Sequence, residues 1–350
     1  MSVVLDVVAS TLQQRVKQYA NLIENTNPVL RALKVGQYKR NKFLKEGVSI
    51  FKTWSGGTHI EIPVRYAAPS SVQFYEGWDQ LQTEVNDASA LARYDWRMAQ
   101  IPVFFSGREL AINSGDPKII DLIRYRIESA EQEFFNTLNR QLLENNPLPN
   151  QINSLLTFIT ENNTTGVVGG IDRATNAWWR NLVFTLHATN AGQSFDGKTG
   201  SLSSRIGPAL SNILRIMARG DGGIDVILAG QTIYDAILEW VYSTRRSELR
   251  NEQLSADLGV EAIMFQGVPI IPIMGYDYAA STQIVNPYPN FAFLINSSKL
   301  EFRVHPERNF ALSEKIKLQD RDAEGFRIYF MGNLVAHSLN HHALLRWIAS

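Results

Sequence analysis

Residues 115–147, GDPKIIDLIRYRIESAEQEFFNTLNRQLLENNP, carry the strongest structural signal of the chain. Asp116 is a favourable helix N-cap and Pro117 a favourable first helical residue. Apolar residues then recur at spacings of three or four, at Ile120, Ile123, Ile127, Ala130, Phe134, Leu138 and Leu142. The pattern predicts a helix over 117–145, about 43 Å long at 1.5 Å per residue. That length is typical of a spine rather than of one layer of a compact core.

The region before this helix predicts a second helix and a basic segment. Apolar residues recur at helical spacing over residues 3–24, and Asn25 to Pro28 ends the pattern. The following run contains basic residues and no acid: Arg31, Lys34, Lys39, Arg40, Lys42 and Lys45. Such a run is usually a solvated surface. Alternatively, it contacts phosphate or an acidic face of a neighbouring subunit.

Residues 51–105 predict an extended hairpin that projects from the body of the protein. Residues 59–64 alternate as a strand does, and residues 101–105 form a second strand pattern. Between them lies an aromatic-rich stretch, whose candidate contact residues are Phe74, Tyr75, Trp78, Tyr94 and Trp96. A projection with these side chains exposes apolar area unless a partner covers it. The alternative is that some of them pack within the base of the hairpin.

The region after the spine helix predicts a further unit of mixed type. A helical pattern covers 205–218, and strand and helix patterns alternate from 224 to 300. Strand character returns from 299 to 337. The fold class expected from all of these segments is α+β.

One pattern suggests nucleotide chemistry. Residues 192–199, GQSFDGKT, match the phosphate-binding expression G-x-x-x-x-G-K-[ST], in which Lys198 reaches the outer phosphates. A functional loop of this kind needs a helix that begins at the lysine. Gly200 and three nearby serines start helices poorly, so the pattern favours a glycine-rich connecting loop. A P-loop nucleotide hydrolase remains the alternative from a different functional class.

Other catalytic or metal-binding chemistry finds little support. His337 and His341 are four residues apart and could share a helix face, but no third ligand is evident, which favours packing histidines. The chain contains no cysteine, which excludes disulfides, thiolate metal sites and cysteine nucleophiles. We therefore expect no enzyme activity, no metal and no cofactor.

Composition narrows the class of protein further. The 350 residues include 34 Lys and Arg and 34 Asp and Glu, so the chain has no net charge, which argues against a dedicated nucleic-acid binder. No window of 18 apolar residues predicts a membrane span, and the N-terminus has no signal-peptide pattern. We expect a soluble, unsecreted protein that associates with other copies of itself.

Taken together, the segments resemble a tailed-phage major capsid protein of the Hong Kong 97 fold. The most specific segment is GGIDRATNAWWRN at residues 169–181, which is similar to one recurrent in a branch of that family. Three further segments resemble the same family: the entry to the spine helix at 115–117, FLIN at 293–296 and LEFRVH at 300–305. The resemblance covers nearly the whole chain in order.

The resemblance implies five regions in chain order: an N-terminal arm (1–50), an E-loop (51–105), a peripheral domain with the spine helix (106–204), an axial domain (205–298) and a peripheral return (299–350). It implies pentamers and hexamers in an icosahedral virion shell, which assembles in the host cytoplasm and matures from a procapsid. The implied partners are a separate scaffolding protein, a portal, a decoration protein and weakly bound double-stranded DNA.

Two further expectations accompany the resemblance. Some members of the family join an E-loop lysine to a neighbouring asparagine, but this chain has no lysine between Tyr66 and Phe105, so we predict no such cross-link. An encapsulin-like compartment shell, which encloses enzyme cargo rather than DNA, is the alternative within the same fold.

Overall fold

The computed structural model describes residues 2–40, 51–67, 74–80, 88–112, 116–145, 147–218, 223–243, 263–273, 276–277, 284–285 and 288–349. The α-helices of these residues are α1 (Ser2–Thr26), α2 (Pro28–Arg40), α3 (Gly107–Ile112), α4 (Asp116–Leu142), α5 (Leu155–Phe158), α6 (Leu202–Met217) and α7 (Gln231–Ser243). Short 3-10 turns cover Ala177–Trp179 and Ala191–Gln193. Among the described residues, no helix combines the length and apolar content that a bilayer crossing needs.

The strands before α6 are β1 (Phe51–Thr53), β2 (His59–Arg65), β3 (Ser89–Asp95), β4 (Arg97–Ser106), β5 (Val167–Val168), β6 (Ile171–Asp172) and β7 (Leu182–His187). Those after it are β8 (Val226–Ala229), β9 (Ile263–Phe265), β10 (Val268–Pro272), β11 (Tyr276–Asp277), β12 (Ile284–Val285), β13 (Phe291–Ile295), β14 (Leu300–Leu312), β15 (Ile316–Lys317), β16 (Ala323–Ala336) and β17 (Ala343–Ile348). The α+β class expected from the sequence is confirmed.

The spine helix is confirmed as α4, a helix of 27 residues and therefore about 40 Å long. It ends at Leu142, three residues before the predicted end. Ile127, Leu138 and Leu142 of its apolar stripe are buried. The Phe134 ring packs edge-on against Phe330 of β16, at a centroid separation of 6.2 Å. The stripe therefore holds the helix against a sheet.

The predicted end of the N-terminal helix is also found, and a second helix, α2, which the sequence did not predict, follows it directly. The Asn27 side chain accepts hydrogen bonds from the backbone N–H groups of Val29 (2.9 Å) and Leu30 (3.2 Å) at the start of α2. Upstream, α1 is bound to the spine helix, because the Tyr19 hydroxyl donates to Glu131 at 2.5 Å and Arg15 forms an ion pair with the same carboxylate at 3.0 Å. The N-terminal helix is thus docked along α4.

Two sheets organise the described residues. The five-stranded sheet has the order β1-β14-β16-β15, with β4 also paired to β16. The six-stranded sheet has the order β7-β17-β13-β8-β10-β9. The domain boundaries expected from the sequence stay a prediction, and the six-stranded sheet includes two strands from outside residues 205–298, namely β7 and β17.

The six-stranded sheet is buried on both faces. All four residues of β8 are buried, with Ile227 in one hydrophobic core beside α6 and α7 and Leu228 in the other core. Helix α2 packs against β8 and β10 on the latter side. The Gly36 backbone approaches Ser297 so closely that an added Cβ would lie 2.8 Å from the serine Cβ. The N-terminal segment therefore joins the two sheets.

Within the five-stranded sheet, a buried carboxylate on β14 links that strand to its neighbour β1. Glu301 of β14 forms ion pairs with Lys52 of β1 and with Arg303 at 2.6 Å, and His337 Nε2 lies 3.2 Å from the same carboxylate. Burial by itself would raise the pKa of Glu301. The hydrogen bonds and charges of His337 and Lys52 outweigh burial and lower this pKa to about 2.

We predict that this cluster makes subunit stability depend on pH. Since the folded-state pKa of Glu301 lies below its ordinary value of 4.5, its stabilisation is complete above pH 4.5 and is lost as the pH falls towards 2. Glu301→Gln should lower the free energy of unfolding at neutral pH by about 3 kcal/mol and flatten its acid dependence. Thermal unfolding of the soluble subunit measures both effects. Glu314→Gln, at an exposed position, is the control, and equal acid dependence in all three proteins would contradict the prediction.

Candidate interaction surface

The predicted hairpin contains an antiparallel ribbon that is seated on its own chain. Strands β2 and β3 form seven residue pairs, from His59–Asp95 to Arg65–Ser89. One ribbon face is buried in the core, with Ile60, Ile62 and Val64 on β2 and Ala92 and Tyr94 on β3. The Tyr66 N–H donates to the Ala88 carbonyl at 3.0 Å, which extends the ribbon by one further backbone hydrogen bond.

The segment GGIDRATNAWWRN, at residues 169–181, forms the seat of the ribbon. The Gly169 carbonyl accepts a hydrogen bond from the Arg93 N–H at 2.9 Å. Gly169 has φ +59°, and an added Cβ would lie 3.0 Å from the Tyr94 ring, so both conformation and space favour glycine there. The Tyr94 hydroxyl donates to the Ala336 carbonyl at 3.0 Å, which ties the ribbon to the end of β16.

The polar and aromatic residues of this seat hold it rigid. The buried Arg173 guanidinium donates to the carbonyls of Thr157 (2.7 Å) and Phe158 (3.0 Å), and burial lowers its pKa to about 10. Trp179 is buried and donates its indole N–H to Val168 at 2.9 Å. Trp178 stacks on Tyr66, with ring centroids 5.0 Å apart. The sequence singled out this segment but assigned it no structural role, because the ribbon residues that it contacts, Tyr66, Arg93 and Tyr94, lie 75 to 112 residues away along the chain.

Beyond the ribbon lies an exposed aromatic tip, which we define as residues 74–80. Phe74 is 97% exposed, Tyr75 64% and Trp78 104%. The tip forms its own turn, since the Asp79 carboxylate accepts a hydrogen bond from the Glu76 N–H at 2.9 Å and the Asp79 N–H donates to the Glu76 carbonyl at 3.1 Å. The turn presents large apolar side chains to solvent.

The other two aromatic residues proposed as contacts pack within their own chain. Tyr94 is only 4% exposed and its ring meets Phe158 edge-on at 6.0 Å. Trp96 is half-buried, donates its indole N–H to Gly57 at 3.2 Å and packs against His305. For these two side chains, the structure agrees with the alternative that they form the base of the hairpin.

The basic segment is mostly not a solvated surface in its described part. Leu30, Leu33 and Val35 are buried, because this face of α2 covers the six-stranded sheet. Arg31 is half-buried, which lowers its pKa, and the Lys34 ammonium lies 3.6 Å from the Glu24 carboxylate. Lys42, Lys45 and the side chains of Lys39 and Arg40 lie outside the described residues. Contact of this segment with DNA stays a prediction.

The loop that matches the phosphate-binding expression is closed by its own side chains. Helix α6 begins at Leu202, not at Lys198. The Gly192 N–H donates to Asn190 at 3.1 Å and the Lys198 N–H donates to the Asp196 carboxylate at 3.2 Å. Backbone donors that would hold a phosphate are thus already occupied, and a carboxylate lies among them. The connecting-loop interpretation is the one that this geometry supports.

An ion pair stabilises this loop. Arg205, which is buried, donates to Asp196 at 2.9 Å and to the His187 carbonyl at 2.9 Å. Burial would raise the pKa of Asp196, but hydrogen bonds from Arg205 and Ser194 lower it to about 2.

His337 and His341 lie on no helix, so they do not form the shared helix face that the sequence allowed but did not favour. Residues 337–342 form the turn between β16 and β17, in which the Ser338 hydroxyl and His341 Nδ1 are 2.8 Å apart. Burial lowers the pKa of His342 to about 3, so this ring is neutral near pH 7. In the part of the chain that the structure describes, no group of three or more His, Cys, Asp or Glu residues is placed to hold a metal ion.

We predict that replacing Asp196 lowers the unfolding temperature of the protein and that replacing Lys198 hardly changes it. In a nucleotide site, by contrast, the lysine would be needed for stabilisation by ATP. Asp196→Asn leaves a buried guanidinium without its counter-charge and should lower the unfolding temperature by several degrees. Lys198→Ala, at an exposed position, should change it by less than about 1 °C. Thermal unfolding with and without magnesium and ATP measures both. Stabilisation of the wild type by ATP that Lys198→Ala abolishes would contradict the prediction.

Comparison with known proteins gives the fold. No protein-family profile matches the chain. No curated protein matches its sequence. Among solved structures, it is similar to the capsid asymmetric unit of cyanophage A-1(L), with 16% identity, a TM-score of 0.59 and coverage of 86% of this chain and 90% of that one.

Two further matches have lower TM-scores. They are Gordonia phage Cozz (15% identity, TM-score 0.47, 90% of this chain and 95% of that one) and the mature capsid of bacteriophage PhiM1 (9%, 0.48, 85% and 84%). The fold assignment rests on the cyanophage comparison, since the other two scores lie below 0.5. The chain has the fold of tailed-phage capsid proteins of the Hong Kong 97 type, as the sequence resemblance implied.

Proposed function

We propose that this chain is the major capsid protein of a tailed phage, and that it assembles into an icosahedral head shell around double-stranded DNA. The observation that carries the proposal is the match to the cyanophage capsid subunit over 86% of this chain and 90% of that one. The match covers most of both chains rather than one shared motif.

The exposed aromatic tip supports self-association independently of that comparison. Phe74 and Trp78 are almost fully exposed at the end of a ribbon whose base is rigidly held. Soluble proteins that act alone rarely present adjacent large aromatics in this way, and such side chains are enriched among interface anchors. Identical subunits are the simplest partners for a structural protein, because one surface then supplies every contact.

The proposal assigns the protein a structural role without catalysis or a cofactor. The cyanophage structure on which the fold assignment rests is a capsid asymmetric unit. The one sequence pattern with catalytic meaning, at residues 192–199, is filled by its own hydrogen bonds. A P-loop hydrolase therefore has no observation in its favour beyond the sequence expression itself.

The remaining partners follow from the family resemblance and are part of the proposal. They are a separate scaffolding protein, a portal and a decoration protein, with the packaged DNA contacted weakly and without sequence preference. The chain would form pentamers and hexamers, assemble as a procapsid in the host cytoplasm and reside in the virion. The absence of net charge supports weak rather than strong DNA binding.

Electron microscopy of the purified protein, expressed with and without a candidate scaffolding protein, tests the proposal. We expect closed shells, or free pentamers and hexamers. Monomers or small rings under every condition would overturn it. Shells that form only around enzyme cargo and exclude DNA would instead support the encapsulin-like alternative.

We predict that Trp78→Ala impairs shell formation without unfolding the subunit. Loss of an aromatic anchor costs about 2 kcal/mol or more at an interface, so the protein concentration needed for assembly should rise about 30-fold. Light scattering against concentration measures this, and circular dichroism checks the fold. Tyr242→Ala, which removes an exposed aromatic from α7, is the matched control. Equal assembly by wild type and Trp78→Ala would rule out the anchor.

A further inference from the structure

Strands β3 and β4 are consecutive parts of the chain that belong to two different sheets. Strand β4 runs beside β16 as far as the Arg97–Gly332 pair, whereas β3 pairs with β2 in the ribbon. Trp96 is the single residue between the two strands. We define the fork as residues 95–97 together with Asn333, the β16 residue that follows the last pair. The ribbon leaves the five-stranded sheet at this fork.

The Asn333 side chain bridges the fork and is fully buried. Its amide oxygen accepts a hydrogen bond from the Asn153 N–H at 2.8 Å, and its amide nitrogen donates to the Asp95 carbonyl at 2.8 Å. Asn153 is held in turn, because its own amide nitrogen donates to the Leu334 carbonyl at 3.1 Å. The Asn333 amide thus links the last residue of β3 to β16 where the backbone pairing between β4 and β16 has ended.

The other polar contacts at the fork lie in solvent. The Asp95 carboxylate lies 3.0 Å from His59 Nδ1 on β2 and forms an ion pair with Arg97 of β4 at 3.1 Å. Such exposed pairs contribute little to stability. Removing one partner of a buried hydrogen bond costs more, because the remaining group stays desolvated and unpaired. Asn333 is therefore the polar contact on which the geometry of the fork depends most.

We infer that Asn333 is a positioning residue, which sets the direction in which the ribbon leaves the five-stranded sheet. It thereby sets the position of the aromatic tip relative to the body of the subunit. The inference rests on the proposed function and adds a residue that determines the geometry of assembly. Asn333 itself has no exposed area with which to contact another subunit.

Apolar packing by itself does not supply this precision. The buried face of the ribbon holds it against the body, but hydrophobic burial has no directional preference. Hydrogen bonds weaken steeply when they bend, so the two bonds of Asn333 fix an angle as well as a distance between β16 and Asp95. The planar amide suits this role because it carries both an acceptor and a donor.

The length of the ribbon makes its far end sensitive to the fork. From the His59–Asp95 pair to the Arg65–Ser89 pair the ribbon extends by six residues on β2, which is about 20 Å at 3.3 Å per residue. A rotation of about 10° at the fork therefore moves the far end by about 3.5 Å. Apolar contacts require heavy atoms within about 4.5 Å, so a displacement of this size separates the surfaces.

Paired spin labels measure this effect in the free subunit, because the chain contains no native cysteine. Glu76→Cys places one label on the aromatic tip, and Ser129→Cys places the other on an exposed residue of α4. Pulsed electron paramagnetic resonance then gives the distribution of tip-to-body distances. We expect a narrow distribution with native Asn333, and Asn333→Ala should shift or broaden it by about 3 Å or more.

Asn27→Ala is the matched control. Asn27 is also a buried asparagine whose side chain bonds two segments of backbone N–H groups, at the start of α2 and away from the fork. Its loss should lower the unfolding temperature and leave the distance distribution unchanged. Asn153→Ala removes only the side-chain bond to Leu334, so it is the milder fork variant. It should change the distribution in the same direction as Asn333→Ala.

Shell geometry is the second measurement. A residue that only stabilised the fold would change the yield of assembled particles and leave their size unchanged. Electron microscopy of Asn333→Ala should instead show shells of varied diameter or open, curved sheets. Under the same conditions, wild type and Asn27→Ala should form closed shells of one size.

The outcomes separate this inference from the proposed function. An unchanged distance distribution in Asn333→Ala, or in Asn153→Ala where Asn333→Ala does not fold, overturns the inference. Asn333→Ala shells of the single wild-type diameter also overturn it, and both results leave the shell function standing. If the wild type forms no pentamers, hexamers or shells under any condition, the proposed function fails. The distance measurement then still decides whether Asn333 positions the ribbon.

Discussion

The packing of the spine helix on the five-stranded sheet supports the rest of the structure. Phe134 of α4 meets Phe310 at 5.9 Å, and Phe310 packs on Phe330 at 4.7 Å. Phe310 has φ +56° and lies where the β14–β16 register shifts, so an irregular strand directs this ring into the core at some conformational cost. Helix α1 meets the same cluster through Tyr19, whose ring lies 5.7 Å from Phe310.

Around this core, the chain combines a rigidly held base with an exposed end. The seat at residues 169–181 fixes the ribbon through the Gly169–Tyr94 contact and the buried Arg173. The tip beyond it places its aromatic side chains in solvent. Such a division suits a subunit that must fold alone before it associates. The base contributes to the stability of the single chain, and under the proposed function the tip contributes to association with another copy.

Local patterns in the sequence predicted the elements that depend on local interactions. The N-cap residue and the apolar spacing predicted that the spine helix begins at Pro117, one residue from its observed start at Asp116. The sequence left open whether Tyr94 is buried at the base of the hairpin, and it did not predict that α2 covers a sheet. Both depend on partners more than 150 residues away along the chain, such as Ala336 and β8.

The fold class and the candidate aromatic surface were therefore accessible from composition, spacing and resemblance, because periodicity and capping act over a few residues. Tertiary structure alone decided which aromatic side chains remain exposed, since burial is a property of the assembled chain. It also decided that the polar groups of the GQSFDGKT loop are paired within the chain, because Arg205 reaches Asp196 only once α6 packs on the sheet. The fork at Asn333 exists only where three segments separated in sequence come together, so no local pattern could reveal it.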